Sequence, residues 1–297
     1  MWYICKNMIH FKTMKRFFII ALLALALQPL RAGTVVTDTL YSRILGGSSI
    51  IYNVYLPDGY EIASRTFPAV YLLHGLSDDH TAWRDKGQMQ IVTDELLRSG
   101  EASPMVIIMP AAGGPDVRHT WCGYFNMPGW NYEDFFFGEF IPAVEKKYHC
   151  GGAKSQRAVM GLSMGGGGSV VYCQRHPDMF SSCYAMSPWL DEPKGEVGGW
   201  NEEKDCLYYT CKSVHEHSAN DFVANADEAT LEKLRTVAWF VDCGDDDFLL
   251  HLSMDFHMKM RNAGVHSELR VRDGVHNWEY WHLALRLALP FASRNFK

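Results

Sequence analysis

The chain has 297 residues, of which 47% are hydrophobic and 21% are charged, so a wholly disordered protein is excluded. Acidic residues outnumber basic ones by 34 to 28 and no Lys/Arg-rich run occurs, so we expect no binding to nucleic acid. Eight cysteines without any C-x-x-C pair exclude a disulfide-built scaffold and argue against a zinc ribbon or a thioredoxin-like motif.

Residues 1–32 have the layout of a secretory signal peptide, and a start at Met14 would already supply every part of it. A basic stretch that ends at Arg16 precedes an unbroken apolar run over 17–27, and small Ala32 stands at the expected cleavage site. That run is too short to cross a bilayer, and no later apolar run is long enough to do so. We therefore expect an exported protein, periplasmic or extracellular, whose mature chain has no membrane span.

From about residue 33 onward, short apolar runs alternate with amphipathic stretches. The apolar runs predict strands at 50–56, 69–73, 105–109, 157–162, 182–186, 237–241 and 268–271. The amphipathic stretches predict helices at 90–98, 133–147, 253–263 and 281–292. Most apolar runs are continuous, which is typical of strands buried on both faces of a parallel sheet. We predict a single α/β domain over 33–297, with a mostly parallel, doubly wound sheet and helices on both faces.

One segment departs from this alternation. Residues 191–221 are rich in glycine and charge, so we interpret them as an insertion over one end of the sheet, with a lid as one option. Cys206 and Cys211 lie in it and are the pair expected to form a disulfide, if the protein has one, because export permits oxidation. His215 and His217 lack further ligands at metal spacing, so we expect a solvated loop and no metal site.

The first motif that carries chemistry is Gly161-Leu162-Ser163-Met164-Gly165, a G-x-S-x-G sequence. A predicted strand precedes it and a glycine-rich, helix-compatible segment follows it, which is the context of a nucleophile elbow. Small flanking residues allow the sharp turn, and the helix N-terminus favours developing negative charge. A phosphate-binding loop is the rival interpretation, but neither G-K-[ST] nor G-x-G-x-x-G spacing is present. We predict that Ser163 is a nucleophile.

A serine nucleophile needs a base, and the base needs an orienting carboxylate. In a fold with a nucleophile elbow the chain order is serine, acid, histidine. His276 follows the last predicted strand and precedes the last helix, which is where the base is expected. His282 falls inside that helix, and His266 would lie at the wrong end of the strand. We predict that His276 is the base.

The acid is expected in the loop after the predicted strand 237–241. Three consecutive aspartates, Asp245, Asp246 and Asp247, stand there, and the pattern by itself does not rank them. An Asp-rich turn is also compatible with a solvated loop or a calcium site, but no EF-hand spacing follows.

The oxyanion hole is expected to use two backbone N–H groups. One belongs to Met164, directly after the nucleophile, and the other to Leu76, in the loop after the strand 69–73. His74 ends that strand, and we expect it to hydrogen bond beside the hole or to touch the substrate instead of acting as the base.

These motifs together resemble the esterase D-like α/β-hydrolases, which include feruloyl and acetylxylan esterases, tributyrin esterases, S-formylglutathione hydrolase and the mycolyltransferases. The resemblance covers roughly 50–292 and rests on the segments 71–83, 132–142, 161–166, 176–180, 243–249 and 274–281. It implies an α/β-hydrolase fold. In the family pattern the catalytic Asp comes directly before a Phe-Leu or similar pair, which points to Asp247.

The resemblance implies a serine carboxylesterase that works through an acyl-enzyme on Ser163 and needs no cofactor or metal. For an exported enzyme of this kind, the expected substrates are acetyl or feruloyl esters on plant polysaccharide, or small-molecule esters. An acyltransferase of the same fold is the main alternative. A non-catalytic carbohydrate-binding protein on a decayed hydrolase fold is a further one, but an intact Ser, Asp and His set argues against it.

Exposed tryptophans suit stacking on sugars or aromatic acids, although core packing is the competing interpretation for each. The candidates for contact with the substrate are Trp121, Trp130, Trp189, Trp200 and Trp278.

Overall fold

The structure, a computed structural model, describes residues 32–62, 64–192 and 204–297. Residues Gly33–Lys297 form one compact unit. The predicted signal peptide, except for its last residue, lies outside the described residues, and so does Trp200. Within the described ranges, no helix combines the length and the apolar character that a membrane crossing requires.

The described strands form an eight-stranded sheet and a small two-stranded one. The strands are β1 (Thr34–Tyr41), β2 (Ser49–Leu56), β3 (Ala69–Leu73), β4 (Val106–Pro110), β5 (Asn126–Met127), β6 (Trp130–Asn131), β7 (Arg157–Leu162), β8 (Ser182–Met186), β9 (Ala238–Gly244) and β10 (Ser267–Arg272). The large sheet has the order β1-β2-β4-β3-β7-β8-β9-β10. Its pairs from β4 to β10 are parallel, whereas β2 is antiparallel to both β1 and β4. The predicted mostly parallel sheet is therefore confirmed.

Helices connect the strands and cover both sides of the sheet. They are α1 (Ala82–Asp85), α2 (Met89–Ser99), α3 (Tyr132–Phe135), α4 (Ile141–Lys147), α5 (Met164–Arg175), α6 (Cys206–Glu216), α7 (Ala219–Ala224), α8 (Glu228–Leu234), α9 (Leu250–Asn262) and α10 (Trp278–Asn295). A π-helical turn, Phe136–Phe140, joins α3 to α4, and short 3₁₀ turns lie at Tyr60–Ile62 and Lys154–Gln156.

Two hydrophobic clusters, one on each face of the sheet, explain why the strand sequences are continuously apolar. Successive strand residues point to opposite faces, so Tyr71 of β3 enters the first cluster and Leu72 enters the second. The first cluster includes Val171 of α5, and the second includes Leu285 of α10. Because helices cover both faces, each inner strand buries both of its sides, as the predicted doubly wound arrangement requires.

The described part of the segment 191–221 is helical, and it is built into the domain. Leu207, Cys211 and Val214, spaced i, i+4 and i+7 on α6, are buried in the first cluster. The side chain of Asp205 accepts a hydrogen bond from the Leu207 N–H and so caps the helix.

The predicted disulfide between Cys206 and Cys211 is wrong. All seven cysteines in the described ranges are free thiols. Cys206 and Cys211 are the first and sixth residues of α6, so their side chains leave the helix about 140° apart around its axis. Two cysteines on different sides of one helix cannot be joined without breaking it.

Candidate active site

Ser163 occupies the sharp turn between β7 and α5, at the carboxyl end of the sheet. Its φ of 52° lies in the left-handed region, which is unfavourable for residues other than glycine and is typical of strained functional turns. The Ser163 N–H donates to the Met186 carbonyl at 2.9 Å, and the Ser163 carbonyl accepts from the Trp189 N–H at 2.9 Å. The first bond ties the turn to the last residue of β8 and the second ties it to the segment that follows, so the sheet helps to hold the strained conformation.

Gly165 shows why the turn needs small residues. A Cβ at this position would lie 2.5 Å from the His74 carbonyl oxygen and 2.6 Å from that of Leu73. The first turn of α5 therefore packs directly onto the end of β3, where the predicted oxyanion loop begins. This contact fixes the position of the serine relative to that loop.

We predict that Gly165→Ala lowers the free energy of unfolding by about 2 kcal/mol, because the new Cβ overlaps backbone atoms that cannot move independently. Separating the elbow from the oxyanion loop should also reduce kcat by about tenfold or more. Denaturant unfolding followed by Trp fluorescence and an ester hydrolysis assay measure the two effects. Gly114→Ala is the matched control, since a Cβ at Gly114 meets nothing within 4 Å. A Gly165→Ala protein as stable as Gly114→Ala would contradict this packing argument.

A hydrogen-bonded path joins the three predicted catalytic side chains. His276 Nε2 lies 2.9 Å from Ser163 Oγ, and His276 Nδ1 lies 2.8 Å from Asp247 Oδ2 and 3.0 Å from Oδ1. An ionised carboxylate only accepts hydrogen bonds, so Nδ1 carries the proton and Nε2 is left to accept from the serine hydroxyl. This is the tautomer that a general base requires.

Asp247 is the aspartate of the three that faces this histidine. It is buried, whereas Asp245 and Asp246 are exposed. Asp245 instead accepts a hydrogen bond from the Gly274 N–H at 3.0 Å and so ties the two loops together. The loops approach so closely that a Cβ at Gly244 would lie 2.2 Å from the Gly274 carbonyl oxygen.

Asp247 remains ionised in spite of its burial. Burial by itself raises the pKa of this carboxyl group, but the hydrogen bond and charge of His276 lower it. The Leu249 N–H and the Ser187 hydroxyl lower it further, and the net result is a pKa below the usual range. Asp247 therefore carries a negative charge at neutral pH.

The two residues predicted to supply the oxyanion donors both lie near the serine. Met164 is the first residue of α5, where backbone N–H groups have no partner within the helix. Leu76 lines the same cavity as Ser163. A Cβ on neighbouring Gly75 would lie 3.6 Å from the Ser163 Cβ, so this loop passes directly over the elbow.

His74 does not line the cavity, and of its two predicted roles the hydrogen-bonding one agrees with its position. Its Nε2 accepts from the Ala112 N–H at 2.8 Å, and its Nδ1 donates to the Gly75 carbonyl at 2.8 Å. Complete burial lowers the pKa of His74, which keeps the ring neutral. The Gly75 carbonyl and the Leu76 N–H share one planar trans peptide, so this bond also sets the direction of that N–H.

A cavity of about 480 Å³ surrounds Ser163 and His276. Its aromatic walls are Trp189, Phe248, Trp278 and Trp281. Trp189 and Trp278, two of the residues predicted to contact the substrate, thus line this cavity. Trp121 packs against the Tyr209 ring, with ring centroids 5.6 Å apart. Trp130 is buried, and its indole N–H donates a hydrogen bond to the Gly123 carbonyl. Neither tryptophan lines the cavity, so the structure does not support the prediction that they contact the substrate.

Sequence reasoning missed several residues of this cavity. The Trp281 ring meets His276 edge to face, with centroids 4.8 Å apart, and the Phe248 ring lies 4.6 Å from the same histidine. Both are close in sequence to a predicted catalytic residue, and that proximity is the signal that could have found them. The ion pair between Lys86 and Asp78, 2.7 Å apart, also lines the cavity and carried no such signal.

The sheet order, the strained serine after β7 and the loops after β9 and β10 define the class: this is an α/β-hydrolase fold. The model of the family described as "Putative esterase" matches residues 42–292. The chain belongs to this esterase family.

Known proteins that resemble the chain include esterases and an acyltransferase. A solved structure of a ferulic acid esterase is 47% identical, with a TM-score of 0.86, and the match covers 90% of this chain and 99% of that one. An endo-1,4-beta-xylanase/feruloyl esterase of Xylanibacter ruminicola is 31% identical over 132 residues, which are 43% of this chain and 18% of that protein. The diacylglycerol acyltransferase/mycolyltransferase Ag85B of Mycobacterium leprae is 24% identical over 256 residues, 75% of this chain and 74% of that protein.

The coverage of the relatives is uneven. The chain spans between 18% and 28% of the length of several curated relatives that it matches. The similarity to those proteins therefore concerns one part of each of them and between 43% and 46% of this chain.

Proposed function

We propose that the protein is a serine carboxylesterase that hydrolyses hydroxycinnamoyl esters, feruloyl esters above all, through an acyl-enzyme. The observation that carries this proposal is the hydrogen-bonded path from Asp247 through His276 to Ser163, inside an aromatic cavity. Membership of the esterase family supports the reaction class.

In the first half of the proposed reaction, the Ser163 Oγ attacks the ester carbonyl carbon while His276 Nε2 takes the hydroxyl proton. The ionised Asp247 stabilises the imidazolium that forms. The N–H groups of Leu76 and Met164 bind the negative oxygen of the tetrahedral intermediate. His276 then gives the proton to the leaving alcohol, and the acyl group remains on the serine.

In the second half, a water molecule replaces the alcohol. His276 takes a proton from the water as it attacks the acyl carbon, and a second tetrahedral intermediate forms in the same oxyanion hole. The intermediate collapses when His276 returns the proton to the serine oxygen. The products are the free carboxylic acid and the regenerated enzyme.

The proposal of an aromatic acyl group rests on the size and the lining of the cavity. An acetyl group would leave most of a 480 Å³ cavity unfilled, whereas a feruloyl group presents a flat ring to Trp189, Trp278 and Phe248. The similarity to a ferulic acid esterase at 47% identity supports the same acyl group, and the natural ester would be a side chain of plant polysaccharide.

We expect methyl ferulate to be hydrolysed with a kcat/KM at least about tenfold above that of methyl acetate, because burial of the aromatic ring is worth roughly 1.5–3 kcal/mol. Phe248→Ala should reduce this ratio, since Phe248 lines the cavity and is 60% exposed, so its removal leaves the core intact. Met254→Ala, which truncates an exposed apolar side chain outside the cavity lining, is the matched control. Equal rates on the two esters would contradict the aromatic acyl site.

An acyltransferase of the same fold is the second candidate, supported by the 24% identity to Ag85B. In that case a sugar hydroxyl, instead of water, would accept the acyl group from Ser163. Incubation of methyl ferulate with the enzyme and added xylose or arabinose distinguishes the two. We expect free ferulic acid as the main product, and an excess of feruloylated sugar would favour the transferase.

We also propose that the protein is exported and that residues 1–32 are removed. The basic and apolar pattern of that segment supports this, and a polysaccharide substrate would have to be met outside the cytoplasm. N-terminal sequencing of the protein recovered from periplasmic and culture fractions tests the proposal. Recovery of the uncut chain from the cytoplasm would contradict it.

A further inference from the structure

A carboxylate and an ammonium group form an ion pair in the wall of the active-site cavity, and the mechanism above uses neither of them. Lys86 Nζ lies 2.7 Å from Asp78 Oδ1. The Asp78 side chain is only 9% exposed, whereas the Lys86 side chain is 55% exposed. Among the hydrogen bonds of the described residues, only Lys86 donates to this carboxylate. A nearly buried carboxylate with one charged partner depends on that partner to compensate its charge.

The Asp78 carboxylate lies close to the proposed nucleophile. A Cβ built on Gly75 would lie 3.4 Å from Asp78 Oδ2 and 3.6 Å from Ser163 Cβ, so those two atoms are within about 7 Å of each other. Asp78 also stands two positions after Leu76, and its N–H donates to the Gly75 carbonyl at 3.3 Å. Over so short a distance a charge in a cavity wall acts strongly on a second charge, so the oxyanion of the proposed reaction would form within the field of this carboxylate.

The backbone and a tryptophan ring hold Lys86 beside Asp78. Lys86 directly follows α1, and its N–H donates to the Ala82 carbonyl at 2.8 Å. Its ammonium group lies 5.8 Å from the centroid of the Trp278 ring, a distance at which a cation is attracted to an aromatic face. The position of the ammonium group is therefore set by the helix end and by the cavity wall as well as by the ion pair.

Few charges share this cavity, so the pair has a large influence on it. Among the described residues that line the cavity, the acidic and basic side chains are Asp78, Lys86 and His276. Asp247 faces His276 from the loop after β9. Without Lys86, the negative charge of Asp78 would be uncompensated. It would raise the energy of the nearby oxyanion, and in the free enzyme it would favour the imidazolium form of His276 over the neutral base.

We propose that Lys86 compensates the charge of the Asp78 carboxylate beside the oxyanion hole, so that the cavity can accept the negative charge of the tetrahedral intermediate. The inference rests on the proposed function, because the oxyanion forms only if Ser163 attacks an ester. Lys86 acts through Asp78, so it is a positioning residue and not a catalytic one.

Removal of one charge, and then of both, tests this role with methyl ferulate as substrate. In Lys86→Gln we expect kcat to fall by about tenfold, because the carboxylate is left uncompensated. The rising limb of kcat/KM against pH reports the base of the free enzyme and should move to higher pH by about half a unit or more. The double variant Asp78→Asn/Lys86→Gln has a neutral wall again. Its kcat should return to within about threefold of the wild-type value, and its rising limb to the wild-type position.

Lys212→Gln is the matched control, since Lys212 forms an exposed ion pair with Glu216, 3.7 Å away, and does not line the cavity. It should leave both kcat and the pH profile unchanged. A double variant as slow as Lys86→Gln, or a rising limb that stays in place in Lys86→Gln, would overturn the inference, because a loss of packing has that result.

Ser163→Ala separates this inference from the proposed function. If that variant still hydrolyses the ester at the wild-type rate, the proposed function fails. An inactive Ser163→Ala beside a fully active Lys86→Gln overturns the role of Lys86 alone.

Discussion

Replacing Ser163 with alanine is expected to reduce kcat for methyl ferulate by a factor on the order of 10⁵. The variant loses the oxygen that forms the acyl-enzyme, and the residual rate comes from the oxyanion hole and from substrate binding. KM should change little, because the cavity walls remain. Initial rates at saturating ester measure the loss. The intact mass of wild-type protein quenched early in the reaction should show one added acyl group, and the variant should show none.

Ser169→Ala is the matched control for this experiment. Ser169 lies on α5, the helix that follows Ser163, is buried, and donates its hydroxyl proton to the Gly165 carbonyl at 2.7 Å. Its loss should leave kcat within about twofold of the wild-type value, since a single helix-internal hydrogen bond contributes about 1 kcal/mol to stability and nothing to the chemistry. If kcat fell by a comparable factor in Ser163→Ala and Ser169→Ala, the cause would be disturbance of the helix, and Ser163 would not be the nucleophile.

Asp247→Asn is expected to lower kcat by a factor on the order of 10⁴. The amide is uncharged, so it no longer stabilises the imidazolium. Its NH₂ group also competes as a donor toward His276 Nδ1 and so favours the tautomer in which Nε2 carries the proton and cannot accept one from Ser163. Rates of methyl ferulate hydrolysis at saturating substrate measure the change.

The neighbouring aspartate provides the control for that substitution. Asp246 is exposed and lies next to Asp247 in the same turn, so Asp246→Asn tests the loss of one negative charge without the hydrogen bond to His276. We expect its kcat to stay within about twofold of wild type, because an exposed charge is screened by solvent. If kcat fell further in Asp246→Asn than in Asp247→Asn, the assignment of Asp247 as the acid would be wrong.

The lowered pKa of Asp247 gives its substitution a second, pH-dependent signature. A carboxyl group whose folded-state pKa is depressed contributes stability that is present above its ordinary pKa of about 3.9 and is lost as the pH falls through the depressed value. The difference in free energy of unfolding between wild type and Asp247→Asn should therefore be largest near neutral pH and shrink below about pH 4. Denaturant unfolding at several pH values measures it.

The inner strands of the large sheet and the loops that carry the candidate catalytic residues could be predicted, because each is marked by a local sequence pattern. A continuous apolar run ending in a turn marks β3, β7, β8 and β9, and the G-x-S-x-G sequence marks the elbow at Ser163. The histidine after the last strand was predictable from chain order. The choice of Asp247 among three aspartates came from resemblance to a family, because burial, which separates them in the structure, has no local signal.

Among the elements that the sequence analysis missed, β1 and α6 were each missed for a physical reason. Strand β1 is half exposed and mixes polar with apolar residues, because it pairs at the edge of the sheet with β2 alone, so it has no continuous apolar run. Helix α6 has its apolar residues at 207, 211 and 214, which is helical spacing, but a glycine-rich and charged context suggested a loop. For α6, the spacing of the apolar residues predicts the structure correctly, whereas the composition of the segment does not.

The positions of side chains brought together by the fold could not be predicted. Trp121 and Trp281 are both aromatic residues near motif segments, yet one packs against Tyr209 and the other lines the cavity beside His276. The contact between Ser187 and Trp281 joins residues 94 positions apart, and no sequence pattern connects them. Such contacts depend on how strands and loops pack together, which is a property of the whole domain.

The distribution of the site along the chain has a consequence for folding kinetics. His276 and Asp247 are 29 positions apart and follow neighbouring strands, whereas His276 and Ser163 are 113 positions apart. Closing the longer loop costs more entropy, and contacts of high sequence separation form late. The acid–base pair can therefore assemble within a C-terminal subassembly of β9, α9 and β10, but turnover returns only after that subassembly has docked beside β8. In a refolding experiment, recovery of activity reports this docking step and not the initial collapse of the chain.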